Sequence, residues 1–156
     1  MADEVFESRI WIGRRRPDVF EFVTDPANVA RLTPRWLHIR LLTPSPGRVA
    51  TGTVLEYRVR LFGLPARFRC FVREFDPPAR FLATQVRGPF DRWEHRGLLL
   101  EDGEGTWLED RITYKLPLGL LANPARGLAR RGLRAAWRHR RARLAASLGP
   151  IRLLGG

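Results

Sequence analysis

Few groups in this chain of 156 residues are suited to acid–base or nucleophilic work: three histidines, one cysteine and 16 carboxylates. His95 and Asp110 stand out, because each occupies an otherwise apolar position of an alternating segment. In 92–100, Trp93, His95, Gly97 and Leu99 oppose Arg92, Glu94 and Arg96. In 106–116, Thr106, Leu108, Asp110, Ile112, Tyr114 and Leu116 oppose Trp107, Glu109, Arg111, Thr113 and Lys115. Alternation of period two predicts half-buried strands. The acidic, glycine-containing loop Glu101–Gly105 predicts a hairpin between them, which makes His95 and Asp110 neighbours. An Asp that orients and charges a His supports general acid–base chemistry. The same pair could instead bind polar groups of a ligand, or satisfy itself in the core. Ligand binding is the reading favoured here.

Tyr57, Gln85 and Tyr114 fall on similar inward faces. An uncompensated buried amide or hydroxyl costs on the order of 2–7 kcal/mol. Such groups must meet one another, water or a ligand. Apolar walls with a few convergent polar groups describe a selective lipophilic site. Cys70 alternates inward with Phe68 and Val72, which marks it as core rather than nucleophile. His38, His95 and His139 lack metal-ligand spacing with acids or Cys70, so no metal is expected. Neither a phosphate-binding glycine loop nor a Gly-x-Ser-x-Gly elbow is present, and no cofactor is implied.

The elements that position these groups follow from the same patterning. Residues 4–12 alternate, with Phe6, Ser8, Ile10 and Ile12 inward and Glu4 set aside. Pro17-Asp18 and Asp25-Pro26 start two short helices, the second reaching Leu32. Strands are then expected over 36–42, 53–61, 66–75, 81–85, 92–100 and 106–116. Short connections and one apolar face per strand predict an antiparallel meander. Asn123-Pro124 opens a long helix, with Leu133, Trp137, Leu144 and Leu148 on one stripe and Gly149-Pro150 as its stop. The expectation is one α+β domain over 1–149 and a loose tail over 150–156. Seven curved antiparallel strands would wrap the C-terminal helix and leave an apolar cavity. Its expected lining is Tyr57, Val59, Phe68, Cys70, Gln85, Trp93, His95, Asp110, Ile112 and Tyr114 from the sheet, with Leu133 and Trp137 from the helix. Three connections at one end of the meander are apolar where loops normally meet water. Phe62, Leu64, Phe90, Leu118, Leu120 and Leu121 would form a greasy cavity rim. Trp11 and Trp107 fall on outward faces, to stack on each other or form a homodimer patch.

The net charge of +12 suggests nucleic acid until it is located. Residues 111–156 hold 11 of the 28 basic residues and no acid, and the first 110 residues are nearly neutral. Lys115 is the only lysine, a bias that a GC-rich genome would also explain. A solvated outer helix face is the simplest reading. The functional alternative is that Arg130, Arg134, Arg138 and Arg141 dock transiently on an anionic membrane surface. No nucleic-acid motif accompanies the charge, which argues against that partner. The acidic start MADEVFESR does not read as a signal peptide, a lone cysteine forms no intrachain disulfide, and a cytoplasmic protein is expected.

The sequence resembles the START-like, pollen-allergen-like superfamily with the helix-grip fold (SRPBCC), and within it bacterial ligand-binding and polyketide cyclase/dehydrase-like proteins. The segments that carry the likeness are Phe20–Asn28 with Leu32-Thr-Pro34, Leu61–Pro65, Phe75–Pro78, Gly88–Phe90 through His95, and Gly105-Thr106 through Tyr114. It spans roughly residues 4–148. The resemblance implies a bent sheet around a helix and a carrier or sensor of a lipid-like or aromatic polyketide-like molecule. It also implies, as the alternative, a cofactor-free cyclase or dehydratase acting through His95 and Asp110. Similar sequences carry a second histidine where this chain has Gly97, so no two-histidine role transfers.

Overall fold

In a computed structural model, described for residues 3–44, 47–61, 63–117 and 123–153, the chain forms one eight-stranded antiparallel sheet and three α-helices. Strand β1 (Glu4–Ile12) leads into α1 (Arg16–Thr24) and α2 (Pro26–Leu32). Then follow β2 (Arg40–Leu41), β3 (Val54–Leu61), β4 (Leu64–Asp76), β5 (Arg80–Arg87), β6 (Arg92–Asp102) and β7 (Gly105–Lys115). Helix α3 (Asn123–Leu148) and β8 (Ile151–Leu153) close the chain. The spatial order is β2-β3-β4-β5-β6-β7-β1-β8, a meander whose first strand returns beside its last long one. Asp25 caps α2 by accepting a hydrogen bond from the Ala27 amide at 2.9 Å, and Pro26 fills the first turn.

Two expectations change. The segment 36–42 is mostly not strand: Arg35–Leu37 form a 3-10 turn, His38 takes a left-handed conformation at φ 45°, and only Arg40–Leu41 pair with β3. The expected loose tail contains an eighth strand. Gly149, at φ 103°, turns the chain out of α3, and the Gly13 amide donates to the Pro150 carbonyl at 2.8 Å. Ile151–Leu153 then pair with Ile10–Ile12. Three residues are too short a run for alternation to reveal, and the pairing depends on where α3 ends.

The interior is filled unevenly. At one end Ile12, Leu99, Leu108 and Leu144 are wholly buried, and α1 adds Val19, Phe20 and Val23 to the same cluster. Leu55, Tyr57 and Val59 form a second cluster with partly buried Val29, Ile39 and Phe68. Ile112, Tyr114 and Leu116 form a third, with partly buried Phe90, Trp93, Leu133 and Trp137. Helix α3 thus packs Leu144 and Leu148 into the first cluster, and Leu133 and Trp137 against the third.

Gly97 belongs to the solid end. It is register partner to Phe81 and Asp110, and a Cβ there would fall inside the Phe81 ring. The position where similar sequences carry histidine is therefore occupied by phenylalanine from the next strand. Overpacking of this kind costs typically 1–3 kcal/mol. Gly97→Ala is expected to destabilise the fold by about that amount in denaturant titrations. Gly97→Ala combined with Phe81→Leu should lose less than the sum of the two single changes, because the clash is shared.

Candidate functional site

Register aligns the inward side chains into rows across the sheet. Ala83, His95, Ile112 and Phe6 form one row, and Phe81, Gly97, Asp110 and Ser8 the next. His95 and Asp110 are thus diagonal neighbours on adjacent strands. Their side chains meet, with 2.7 Å between His95 Nε2 and Asp110 Oδ1. An ionised carboxylate only accepts hydrogen bonds, so Nε2 carries the proton. Nδ1 is left as the free ring nitrogen, and it makes no hydrogen bond among the described residues. The imidazole is held edge-on between Phe81 and Trp137, at 5.2 and 5.8 Å between centroids.

Asp110 is 3% exposed, and α3 completes its surroundings. Trp137 Nε1 donates to Oδ2 at 3.3 Å, and the Arg140 guanidinium stands 3.5 Å from Oδ1. Burial by itself would push the Asp110 carboxyl up. The Arg140 charge, with the hydrogen bonds from His95 and Trp137, outweighs it and holds the pKa at about 2. Asp110 is therefore a saturated anion. It fixes His95 and ties the helix to the sheet, and it has no role as a proton donor near neutral pH.

A second carboxylate does similar work nearer the start of the helix. Glu4 pairs in register with Tyr114, on the inward face. It accepts hydrogen bonds from Arg126 at 2.6 Å and Arg130 at 3.0 Å, and these hold its pKa below the ordinary range. Sequence reasoning sets Glu4 aside, although it continues the even-numbered alternation and a basic helix is available to receive it. Arg130, expected to meet an anionic membrane surface, is committed to Glu4. Arg134, Arg138 and Arg141 have no acid within 4.0 Å among the described residues.

The other expected residues divide. Phe68 and Trp93 meet edge-to-face at 5.8 Å and link the second and third clusters. Trp93 continues to Phe90 at 4.9 Å and to Tyr114 at 6.4 Å, which makes an aromatic wall opposite Leu133 and Trp137. Tyr57 and Val59 are buried at its far side, and burial raises the Tyr57 phenol so that it stays neutral. The Cys70 thiol is buried and pushed up to about 12, which makes it inert. Gln85 serves the loop instead: its amide donates to the Phe90 carbonyl at 2.7 Å and accepts from the Phe90 amide at 3.2 Å. Of the expected rim, Leu64 is exposed, Phe90 packs inward on Trp93, and Phe62, Leu118, Leu120 and Leu121 lie outside the described residues.

Trp11 and Trp107 are direct register partners on the convex face, each covered by an arginine. Arg152 lies 4.4 Å over Trp11, and Arg9 lies 4.5 Å over Trp107. Among the described residues, no cluster of three or more His, Cys, Asp or Glu is placed to hold a metal ion, and no helix is long and apolar enough to cross a membrane.

This architecture, a curved sheet gripping a long C-terminal helix, defines a class. The family model for polyketide cyclase / dehydrase and lipid transport proteins matches residues 5–149, and the chain belongs to that family of START-like helix-grip proteins. Among solved structures it is similar to TTHA0849 from Thermus thermophilus (21% identity, covering 92% of this chain and 99% of that one, TM-score 0.70). It is also similar to a START superfamily protein from Mycobacterium smegmatis (14%, 92% and 96%, 0.70). A third is the Zhui aromatase/cyclase from Streptomyces sp. R1128 (16%, 92% and 93%, 0.72). At these identities the likeness establishes the fold. No curated protein matches the sequence.

Two outcomes follow from the Asp110 environment. Asp110→Asn leaves Arg140 without its counter-charge in the interior, and should cost about 3–5 kcal/mol in denaturant unfolding. The pKa of Asp110 is lowered on folding from 3.8 to about 2. Its charge therefore contributes about 2 kcal/mol that is fully present above pH 4 and lost as pH falls towards 2. Stability titrated between pH 5 and 2 should fall less steeply in Asp110→Asn than in the parent.

Proposed function

We propose that this protein binds a lipophilic small molecule, lipid-like or aromatic, between the aromatic wall of the sheet and the N-terminal half of α3. The observation that supports this is a set of inward apolar groups that keep solvent access. Phe68, Trp93, Leu133 and Trp137 remain only partly buried around the sealed Ile112, Tyr114 and Leu116. Inward apolar groups that keep solvent access would gain roughly 25 cal/mol for each Å² a ligand covered. His95 Nδ1 supplies a polar contact in that wall, and Asp110 fixes its orientation. The family covers both lipid transport and polyketide cyclisation, and either task uses such a site.

The same nitrogen supports a second reading, in which His95 acts as a general base on a bound polyketide-like ketone. Asp110 would stabilise the imidazolium while remaining ionised, as its low pKa allows. Carriage is favoured, because other acid–base groups nearby are committed: Glu4 and Asp110 are saturated and Cys70 is inert.

Native mass spectrometry of freshly purified protein should detect a retained lipophile, and a panel of fatty acyl and aromatic polyketide compounds should include some that raise the melting temperature. Leu133→Trp fills the space from the helix side and is expected to weaken those compounds by about tenfold or more without loss of fold. His95→Gln should retain binding if the protein is a carrier, and abolish turnover of a cyclisable substrate if it is an enzyme. Protein that is always empty and unshifted by every compound would exclude both readings.

A further inference from the structure

We infer that α3 and the Val5–Arg9 part of β1 form a second site, which takes the phosphate head of an amphiphile. Among the described residues, β8 pairs with Ile10–Ile12 and Val5–Arg9 pair with β7 alone. A groove of about 810 Å³ is lined there by Arg134, Arg138 and Arg141 from the helix together with Phe6, Trp137 and Leu153, and it also takes in Arg96 and Leu98 of β6. The ring centroids of Phe6 and Trp137 are 5.3 Å apart. Trp137 also belongs to the proposed interior wall, but Arg134, Arg138 and Arg141 do not, and they carry the inference.

The balance of charge identifies the occupant. Three acids line the groove, Glu7, Glu109 and Asp110. Each already has a cation: Arg111 at 3.6 Å from Glu7, Arg9 at 2.9 Å from Glu109, and Arg140 with His95 at Asp110. Arg134, Arg138 and Arg141 have none among the described residues. At about 1.5 Å per residue they spread over about 10 Å of one helix face, which gives a multiply charged head several guanidinium forks at once. Phe6, Trp137 and Leu153 supply apolar surface for the start of a chain. A phosphate on an apolar tail matches both features. A bare phosphate would leave the apolar groups unused, and a neutral lipid would leave the arginines unmatched.

The test is calorimetric titration of the full chain with dodecyl phosphate and, separately, with dodecanol. Dodecyl phosphate should bind, and Arg134→Gln/Arg138→Gln/Arg141→Gln should weaken it by about tenfold or more while the melting temperature is unchanged. Leu133→Trp should leave it unaffected, since that change fills the interior and not the groove. Vesicles of phosphatidylcholine with and without phosphatidic acid separate the two sources of the head group. Retention on the acidic vesicles places it in a bilayer, and binding of free dodecyl phosphate alone makes it a dispersed molecule. Unchanged affinity in the triple variant, or loss on Leu133→Trp instead, would overturn the inference. So would dodecanol binding that the triple variant weakens as much, or a DNA duplex that competes dodecyl phosphate off and is itself lost in the triple variant.

Discussion

The buried carboxylate of Asp110 is the contact on which the arrangement of sheet and helix turns. A charge taken out of water is unfavourable unless it is paired and hydrogen-bonded. Here the partners come from both layers, His95 from β6 and Trp137 with Arg140 from α3. Apolar packing at Leu144 and Leu148 secures the C-terminal end of the helix, and would tolerate small rotations. The directional contacts to Asp110 do not. They fix which face of α3 looks inward, and with it the positions of Leu133 and Trp137 opposite the aromatic wall.

Glu4 repeats this device nearer the start of the helix, through Arg126 and Arg130. At the C-terminal end the Arg14 side chain donates to the Leu148 carbonyl at 3.1 Å. The helix is thus held at its first turns, its middle and its last turn. Leu133 and Trp137, between and at the first two anchors, stay partly uncovered, and they are side chains that a lipophilic ligand would meet.

The basic composition also changes meaning once it is placed. The arginines of α3 do not form one field. Arg126 and Arg130 neutralise Glu4, Arg140 neutralises Asp110, and Arg134, Arg138 and Arg141 face the groove beside β1. Composition alone gives them equal weight. The same holds on the convex face, where Arg9 and Arg152 cover the tryptophans that would otherwise present an apolar patch.

Periodicity by itself determined the long strands, the two short helices, the C-terminal helix and the adjacency of His95 and Asp110, because each is a property of local repeats and one short hairpin. Resemblance in motifs determined the family. The sequence could not disclose what depends on where distant elements finish. Strand β8 exists because Gly149 releases the chain beside β1. Gln85 clamps the Phe90 loop because the β5–β6 connection folds back over it. Arg130 is lost to an acid 126 positions away, a pairing that no spacing rule encodes. Alternation reports which way a side chain points. Whether another side chain meets it there is settled only by the curvature of the sheet and the line of the helix it holds.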